Sequence, residues 1–239
     1  MKIRWYDLMV EVTRRCNMRC AHCLRGEAEA VDMSKETVDA LLDITESIDT
    51  ITFGSGEPSL NYELIDYFVD ECKRRGIPIY GYYVVTNGKV VPDGFLISLI
   101  KLHAYVVDCA GEMEICGICL SKDMFHESIL KENENKLRAL SSFREDKETD
   151  FSRDHAIINL GRARSLNAFI KREAPYNCNV EAEIYDDVIS FKNSDYLSIT
   201  VNGDILNACD YEYCNIEHLK IGNIFDPNLI EKLAALIKE

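Results

Sequence analysis

The sequence lacks any long apolar run. Its 239 residues contain no stretch of about 18 uncharged apolar residues, the length that a membrane-spanning helix needs. The first residues, from Met1 to Asp7, carry early charge and lack the continuous apolar segment of a signal peptide. We therefore expect a cytoplasmic protein that has no membrane partner.

Positive charge is scarce as well. The chain has 27 lysines and arginines against 41 aspartates and glutamates, which gives a formal net charge of −14. Phosphate backbones are bound mainly through lysine and arginine, so this balance argues against a nucleic-acid partner. Internal repeats and low-complexity tracts are also absent, and a chain of this length can form one substantial core without being split into domains.

Cysteine, by contrast, is plentiful, with ten residues. The chain is too large for a small disulfide scaffold, and clustered cysteines in a reducing compartment more often bind metal or act in redox chemistry. Cys16, Cys20 and Cys23 form a Cys-x3-Cys-x2-Cys run directly after an apolar segment. Three thiolates this close can converge on one metal centre and leave a fourth ligand position open.

Two kinds of metal centre fit such a run. A structural zinc site needs four protein ligands, so His22 or a distant cysteine would have to complete it. A [4Fe–4S] cluster has four iron corners, so three thiolates would leave one iron free to bind another group. The cysteine run by itself leaves both alternatives open.

Apolar patterning predicts alternating strands and helices up to about residue 160. The alternation indicates βαβ units and a parallel sheet. Asn202-Gly203 further predicts a hairpin turn between two later strands. The predicted strands cover residues 3–12, 49–53, 78–86, 114–121, 156–160, 184–191, 196–201 and 204–208. Five helices are predicted. The first begins at Ser34, the second covers about 61–75, and the third begins at Pro92 with Ile100 and Val107 on its apolar face. The fourth covers about 126–142, and the fifth begins at Asp226-Pro227.

Four motifs follow the first four predicted strands in order. The cysteine run, with His22 at its aromatic position, resembles the Cys-x3-Cys-x-aromatic-Cys signature of the radical SAM (S-adenosylmethionine) superfamily. Gly54-Ser55-Gly56-Glu57-Pro58 resembles that family's Gly-Gly-Glu-Pro loop, with Ser55 in place of a glycine. Val85-Thr86-Asn87-Gly88 and Leu120-Ser121-Lys122-Asp123 are similar to its later strand-end motifs. The resemblance spans about residues 6 to 165.

The resemblance implies a fold and a division of the chain. It implies an α/β protein with a partial (β/α)6 TIM-like barrel as the radical SAM core over residues 1–165. Residues 166–239 would form a C-terminal extension, a small β-hairpin plus helix, packed on the core and completing the barrel. Ligands would bind at the C-terminal ends of the strands, where all four motifs lie.

The resemblance also implies two cofactors. Cys16, Cys20 and Cys23 would each bind one iron of a [4Fe–4S] cluster, and SAM would bind the fourth. Reductive cleavage would give methionine and a 5′-deoxyadenosyl radical that abstracts hydrogen from a peptide or small-metabolite substrate, with flavodoxin or ferredoxin as the reducing partner. Arg14, Arg15, Arg19 and Arg25, which surround the run, are expected to balance the thiolates and the SAM carboxylate.

Further residues are implied to contact SAM. Glu57, in the loop formed with Gly54, Ser55 and Gly56, would accept a hydrogen bond from the methionyl ammonium. The alternative is that Glu57 only caps backbone donors at a helix start. The remaining implied contacts are His22 through its backbone, with its ring packing, and the side chains of Thr86, Asn87, Ser121, Asp123 and Asn159. Asn159 precedes Gly161-Arg162-Ala163, which is similar to segments of radical SAM enzymes that modify peptides. His103, His126, His155 and His218 are expected to be ordinary surface or core residues.

Three late cysteines leave a further question. Cys178, Cys209 and Cys214 lie in a region that resembles a truncated auxiliary-cluster (SPASM/twitch-like) extension. They are candidates for a second iron–sulfur cluster, with Cys116 or Cys119 as a remote ligand. The alternative is that all of them are ordinary thiols.

The predicted function is therefore that of a radical SAM enzyme whose substrate the sequence does not name. Two other classes stay open. In one, the cluster serves as a redox or iron sensor without turnover. In the other, the cysteines hold structural zinc and the protein is an interaction module.

Overall fold

The chain folds around a mostly parallel sheet with helices packed on it. The computed structural model describes residues 1–111, 116–144, 156–174, 182–191 and 197–237. The helices are α1 Lys35–Asp43, α2 Tyr62–Arg75, α3 Asp93–Ala110, α4 Lys131–Arg138 and α5 Leu229–Ile237. The strands are β1 Lys2–Thr13, β2 Thr45–Ser55, β3 Tyr82–Thr86, β4 Cys116–Leu120, β5 Phe143–Arg144, β6 Ile157–Ile158, β7 Lys171–Arg172, β8 Ala182–Tyr185, β9 Val188–Phe191, β10 Leu197–Ile199, β11 Asp204–Leu206 and β12 Lys220–Asn223.

The main sheet has the strand order β12-β11-β10-β1-β2-β3-β4-β5. The six strands from β10 to β5 are all parallel, and β11 and β12 extend the edge in antiparallel pairing. Parallel pairing brings the C-terminal ends of the strands, and the loops that follow them, to one edge. This mixed α/β arrangement is consistent with the predicted partial TIM-like barrel.

The first strand is the centre of the core. Trp5 is fully buried, stacks on Phe191 with ring centroids 5.8 Å apart and donates its indole N–H to Thr45 Oγ1 at 2.9 Å. Because a strand covered on both faces needs apolar side chains in both directions, the continuously buried part of β1, residues 8–13, is apolar except for Glu11 and Thr13.

Two helix ends follow their local sequence. Ser34 caps α1, since its hydroxyl accepts a hydrogen bond from Thr37 N. Gly76 ends α2 in the left-handed region, with φ of 70°. Both ends agree with the prediction. On α3, however, Ile100 and Val107 are exposed, although the apolar pattern placed them on the buried face.

Two predicted elements after β4 are corrected by the structure. The helix predicted over 126–142 covers only Lys131–Arg138, and a loop precedes it. The fifth strand of the parallel sheet is Phe143–Arg144, whereas Ile157–Ile158 pairs with Lys171–Arg172 in a separate two-stranded sheet. Phe143–Arg144 is too short and too polar to stand out as a strand, and its pairing with β4 depends on tertiary contacts that the sequence pattern does not report.

The C-terminal strands join the same sheet as the N-terminal ones. The predicted strand 184–191 is in fact a hairpin, which turns at Asp186 and Asp187 with positive φ. The predicted turn at Asn202-Gly203 is present, with Gly203 at φ of 80° between β10 and β11. β10 lies beside β1, so strands on both sides of residue 165 share one sheet. The division into 1–165 and 166–239 stays a prediction.

None of the helices in the described ranges is both long enough and apolar enough to cross a bilayer.

Candidate active site

The loops that follow β1, β2, β3 and β4 enclose one cavity of about 690 Å³. It lies where parallel α/β folds bind their ligands, at the C-terminal strand ends. Most of the predicted site residues line it. They are Cys16, Cys20, His22, Cys23, Gly54, Ser55, Gly56, Glu57, Asn87, Ser121 and Asp123.

The three cysteines are held together by their own loop. Cys16, Cys20 and Cys23 are free, partly buried thiols. The backbone N–H of Cys23 donates to Cys20 O at 3.2 Å, and Asn87 Nδ2 lies 3.8 Å from Cys16 Sγ. Burial raises the pKa of the Cys16 thiol. A bound metal ion would favour the thiolate instead, because it deprotonates a coordinating thiol.

Glu57 is almost completely buried at the edge of this cavity, 1% exposed. Its carboxylate accepts hydrogen bonds from Thr86 Oγ1 at 2.6 Å, Asn87 N at 2.7 Å and Ser59 N at 3.1 Å. Burial raises its pKa, and these donors oppose the shift by stabilising the carboxylate. Glu57 therefore caps backbone donors and also presents a carboxylate at the cavity wall. Thr86 lies behind Glu57 and is not among the lining residues described.

Gly56 lets the glutamate loop approach the cysteine run. Its N–H donates to Thr13 O at 3.0 Å, and the N–H of Glu57 donates to Arg15 O at 2.8 Å. A Cβ at position 56 would lie 2.4 Å from Arg15 O and 2.6 Å from Thr13 O, so a side chain does not fit there. The glycine requirement of this loop is thus a matter of space.

Ser55 stands where the family's motif has a glycine. Its backbone conformation is unfavourable for serine, but its side chain forms hydrogen bonds. Its φ of 91° lies in the region that favours glycine. Its hydroxyl donates to the buried Glu11 at 2.8 Å and lies 3.2 Å from the Tyr213 hydroxyl. Glu11 also accepts from Val201 N at 3.0 Å, so Ser55 links the glutamate loop to the C-terminal segment.

His126 was predicted to be an ordinary residue, and the structure corrects this by placing it in the cavity wall. Its Nδ1 lies 2.8 Å from Asp123 Oδ1, and His22 Nε2 lies 3.3 Å from Asp123 Oδ2. Burial opposes the charged imidazole, but interactions with Asp123 and with Cys20 outweigh it and raise the pKa of His126 to about 9. The His22 ring stacks on Phe125 with centroids 4.7 Å apart, as expected of a packing ring.

Arg162 and Gly161 brace the cysteine run from outside the cavity. Arg162 Nε donates to Cys20 O at 2.9 Å, and its backbone N–H donates to Cys23 O at 3.0 Å. Gly161 lies so close that a Cβ there would be 2.5 Å from Cys23 O. The Gly-Arg-Ala signal was visible in the sequence, but its contact with this run was not.

The remaining predicted residues are placed differently. Asn159 is not among the residues that line the cavity, and its side chain donates to Glu173 at 3.3 Å. Cys119 and Cys209 line the cavity, and Cys214 is exposed and outside it. Cys178 and His155 lie outside the described residues. A second cluster therefore stays a prediction.

The geometry defines a class of site: three free thiols and a glutamate loop at the C-terminal edge of a partial TIM-like barrel. Residues 10–108 match the family model described as Radical SAM superfamily. That segment contains the cysteine run, the glutamate loop and Thr86-Asn87. The chain therefore contains a radical SAM domain. This match confirms the resemblance to the radical SAM enzymes.

Relatives in sequence match short segments. An uncharacterised protein of Methanocaldococcus jannaschii is 39% identical over 69 residues, 27% of this chain and 24% of that protein. The tungsten-containing aldehyde ferredoxin oxidoreductase cofactor-modifying protein of Pyrococcus furiosus is 35% identical over 106 residues, 42% of this chain and 29% of that protein. The matched part thus spans less than a third of either curated relative.

A solved structure resembles the whole chain in fold. It is native anSMEcpe with bound AdoMet and Cp18Cys peptide, with a TM-score of 0.57 and 13% identity. The likeness covers 100% of this chain and 83% of that one. At this identity the likeness concerns the fold.

The residues present fit the groups that the family implies, a [4Fe–4S] cluster and SAM. The donor set is three thiols on one cavity wall, which suits an iron–sulfur cluster with one open iron. The zinc alternative needs a fourth ligand, either His22 or a distant cysteine. His22 faces Asp123 instead, and Cys119 and Cys209 are the distant cysteines that line the cavity.

Proposed function

We propose that this protein is a radical SAM enzyme that abstracts hydrogen from a peptide substrate. The observation that carries the proposal is that Cys16, Cys20 and Cys23 share one cavity with Glu57, Asn87 and Asp123. Parallel pairing brings these strand-end loops to one edge, and the thiol, carboxylate and amide groups that they present there are the types that an iron–sulfur cluster and SAM would need.

Each group has a distinct task in this proposal. Cys16, Cys20 and Cys23 hold the cluster. Glu57 accepts a hydrogen bond from the SAM ammonium, because a carboxylate offers about four acceptor positions and protein donors occupy three. Asn87 and Ser121 bind polar groups of SAM, and Asp123, braced by His22 and His126, accepts from its ribose. When bound, the reduced cluster and SAM supply the 5′-deoxyadenosyl radical.

One observation supports a peptide substrate, and the size of the cavity limits how much of a substrate can enter. The similar structure of anSMEcpe holds a peptide. The cavity of about 690 Å³ is at the size of a typical ligand pocket, so it suits a cofactor and the side chain of a substrate better than a whole folded partner. The cofactor-modifying relative from Pyrococcus furiosus supports a small metabolite as the second candidate. We further propose ferredoxin or flavodoxin as the reductant, in the reducing cytoplasm.

The test is SAM cleavage by anaerobically reconstituted protein with dithionite, followed by mass spectrometry of 5′-deoxyadenosine. We expect several equivalents of 5′-deoxyadenosine per chain from the native protein. A protein that binds SAM and reduces its cluster but forms no 5′-deoxyadenosine would instead support the sensor alternative. Zinc in place of iron in protein purified without air would support the interaction-module alternative.

A further inference from the structure

Asn87, at the end of β3, places its side-chain amide against the cysteine run. The residue is 7% exposed, and its Nδ2 forms a long hydrogen bond to Cys16 Sγ at 3.8 Å. Its backbone N–H donates to the Glu57 carboxylate at 2.7 Å, so the main chain is fixed at this point as well. The strand end therefore holds an amide beside one of the three sulfurs that would bind the cluster.

The other hydrogen bonds of Asn87 fix which way its amide faces. The backbone N–H of Lys89 can only donate, and it donates to one end of the amide at 2.9 Å, so that end is the oxygen Oδ1. The opposite end is then the NH2 group, which has two hydrogens. One hydrogen serves Asn17 Oδ1 at 2.8 Å, and the other is left for Cys16 Sγ. Asn87 thus faces the sulfur as a donor.

The neighbours of Asn87 are themselves held in place. Asn17 follows Cys16 in the cysteine run, and its backbone carbonyl accepts from Lys89 Nζ at 2.8 Å. Asn133, in α4, donates its side-chain N–H to Lys89 O at 3.0 Å. These bonds join the turn after β3 to the cysteine run, so the Asn87 amide cannot turn away from Cys16 without breaking several of them.

A donor at this position acts on the energy of cluster reduction. A cysteine sulfur of a reduced cluster carries more negative charge than that of an oxidised one, so a hydrogen bond to it is stronger in the reduced state. Hydrogen bonds to the sulfurs are among the factors that set the potentials of iron–sulfur clusters. Cys16 is partly buried, where water competes less for the sulfur and a protein donor counts for more.

We propose that Asn87 is a positioning residue that donates to the Cys16 thiolate and thereby raises the reduction potential of the cluster. A higher potential makes an electron easier to accept from the reducing partner. The inference rests on the proposed function for the cluster itself, but it concerns electron uptake and not the substrate. Asn87 Oδ1 keeps a second lone pair beside the bond from Lys89, so Asn87 can serve the cluster and SAM at once.

The experiment is a redox titration of the anaerobically reconstituted full chain without SAM, followed by EPR of the reduced cluster. Omitting SAM separates this role of Asn87 from its contact with the cofactor. Asn87→Ala should lower the equilibrium constant for one-electron reduction about tenfold, the lower end of what one hydrogen bond to a charged group contributes. The potential should then be about 59 mV more negative than in the native protein.

Asn133→Ala is the matched control. It removes the same kind of side chain from the same turn, since Asn133 bonds to Lys89 O, but Asn133 is not among the residues that line the cavity. This variant should keep the native potential. A shift of equal size in both variants would mean that loosening the turn, and not the donor to Cys16, changes the potential.

A second measurement uses the native sequence and decides even where Asn87→Ala does not assemble a cluster. The protein is labelled with 15N in the side-chain amide of asparagine, and pulsed EPR of the reduced cluster detects a nitrogen that is hydrogen-bonded to a cluster sulfur. We expect a 15N coupling in the native protein and its loss in Asn87→Ala.

Three results would overturn the proposal: equal potentials of the native protein and Asn87→Ala, an equal shift in Asn133→Ala, or no 15N coupling in the native cluster. A native protein that takes up no iron would contradict the proposed function together with this inference. The iron content therefore tells the two failures apart.

Discussion

Glu57→Ala is expected to lower the free energy of unfolding by about 3 kcal/mol, because it leaves several buried donors without an acceptor. Those donors are Thr86 Oγ1, Asn87 N and Ser59 N. The loss of unfolding free energy should stay near 3 kcal/mol, because Glu57 borders the cavity and water from the cavity can reach some of the unpaired donors. Urea unfolding of the apoprotein measures it.

The same variant should weaken SAM binding at least about tenfold, the range of one charge-assisted hydrogen bond, while the iron content is retained. Glu57→Gln serves as the matched variant, since it keeps the volume and one oxygen acceptor. It should lose less stability than Glu57→Ala but a similar amount of SAM affinity, because the neutral amide no longer pairs with an ammonium. Unchanged SAM affinity in both variants would restrict Glu57 to a capping role.

Gly56→Ala is the second change with a large expected effect. The added methyl would overlap the carbonyl oxygens of Arg15 and Thr13, both of which are backbone atoms that cannot swing away. To relieve the overlap, the loop must give up the hydrogen bonds from Gly56 N and Glu57 N. We expect a loss of about 3 kcal/mol in unfolding free energy, from overpacking and unpaired backbone groups, and weaker SAM binding.

Gly54→Ala is the control, because it makes the same change two residues earlier. A Cβ at position 54 would have Thr52 Cγ2 at 4.0 Å as its nearest neighbour, which is ordinary contact. This variant should unfold within about 0.5 kcal/mol of the native protein, as most tolerated substitutions do. Equal stability losses at the two positions would show that close approach to the cysteine run is not what requires Gly56.

The sequence predicted much of the site because its key features are local. Cys16, Cys20 and Cys23 lie within eight residues, and Gly54–Pro58 is one contiguous segment after a predicted strand. Parallel strands then bring such loops to one edge whatever the details of packing. The resemblance of the motifs to the radical SAM family therefore implied the barrel class, and most of the site residues that it implied line the cavity.

The parts that sequence reasoning missed depend on long-range placement. His126 has no partner at a recognisable spacing in the sequence. The helix predicted from residue 126 begins instead at Lys131, and the loop in between carries His126 to Asp123. Arg25 looked like its neighbouring arginines, and its burial comes from Tyr211, 186 residues away along the chain. No local pattern reports a contact of that separation.

The same reason explains the strand that was placed wrongly. Residues 156–160 have the apolar character of a sheet strand, yet Ile157–Ile158 pairs with Lys171–Arg172 outside the main sheet. Phe143–Arg144, with only two residues, takes the place beside β4. Pairing partners are chosen by the tertiary fold, which strand propensity does not encode.

The most direct test of the account is the iron and labile sulfide content of anaerobically reconstituted protein, native and with Cys16→Ala, Cys20→Ala and Cys23→Ala combined. We expect about four irons and four sulfides per chain in the native protein, as for one [4Fe–4S] cluster, and none in the triple variant. A triple variant that keeps about four irons, or a native protein that takes up none, would contradict the assignment of the cluster to these three cysteines.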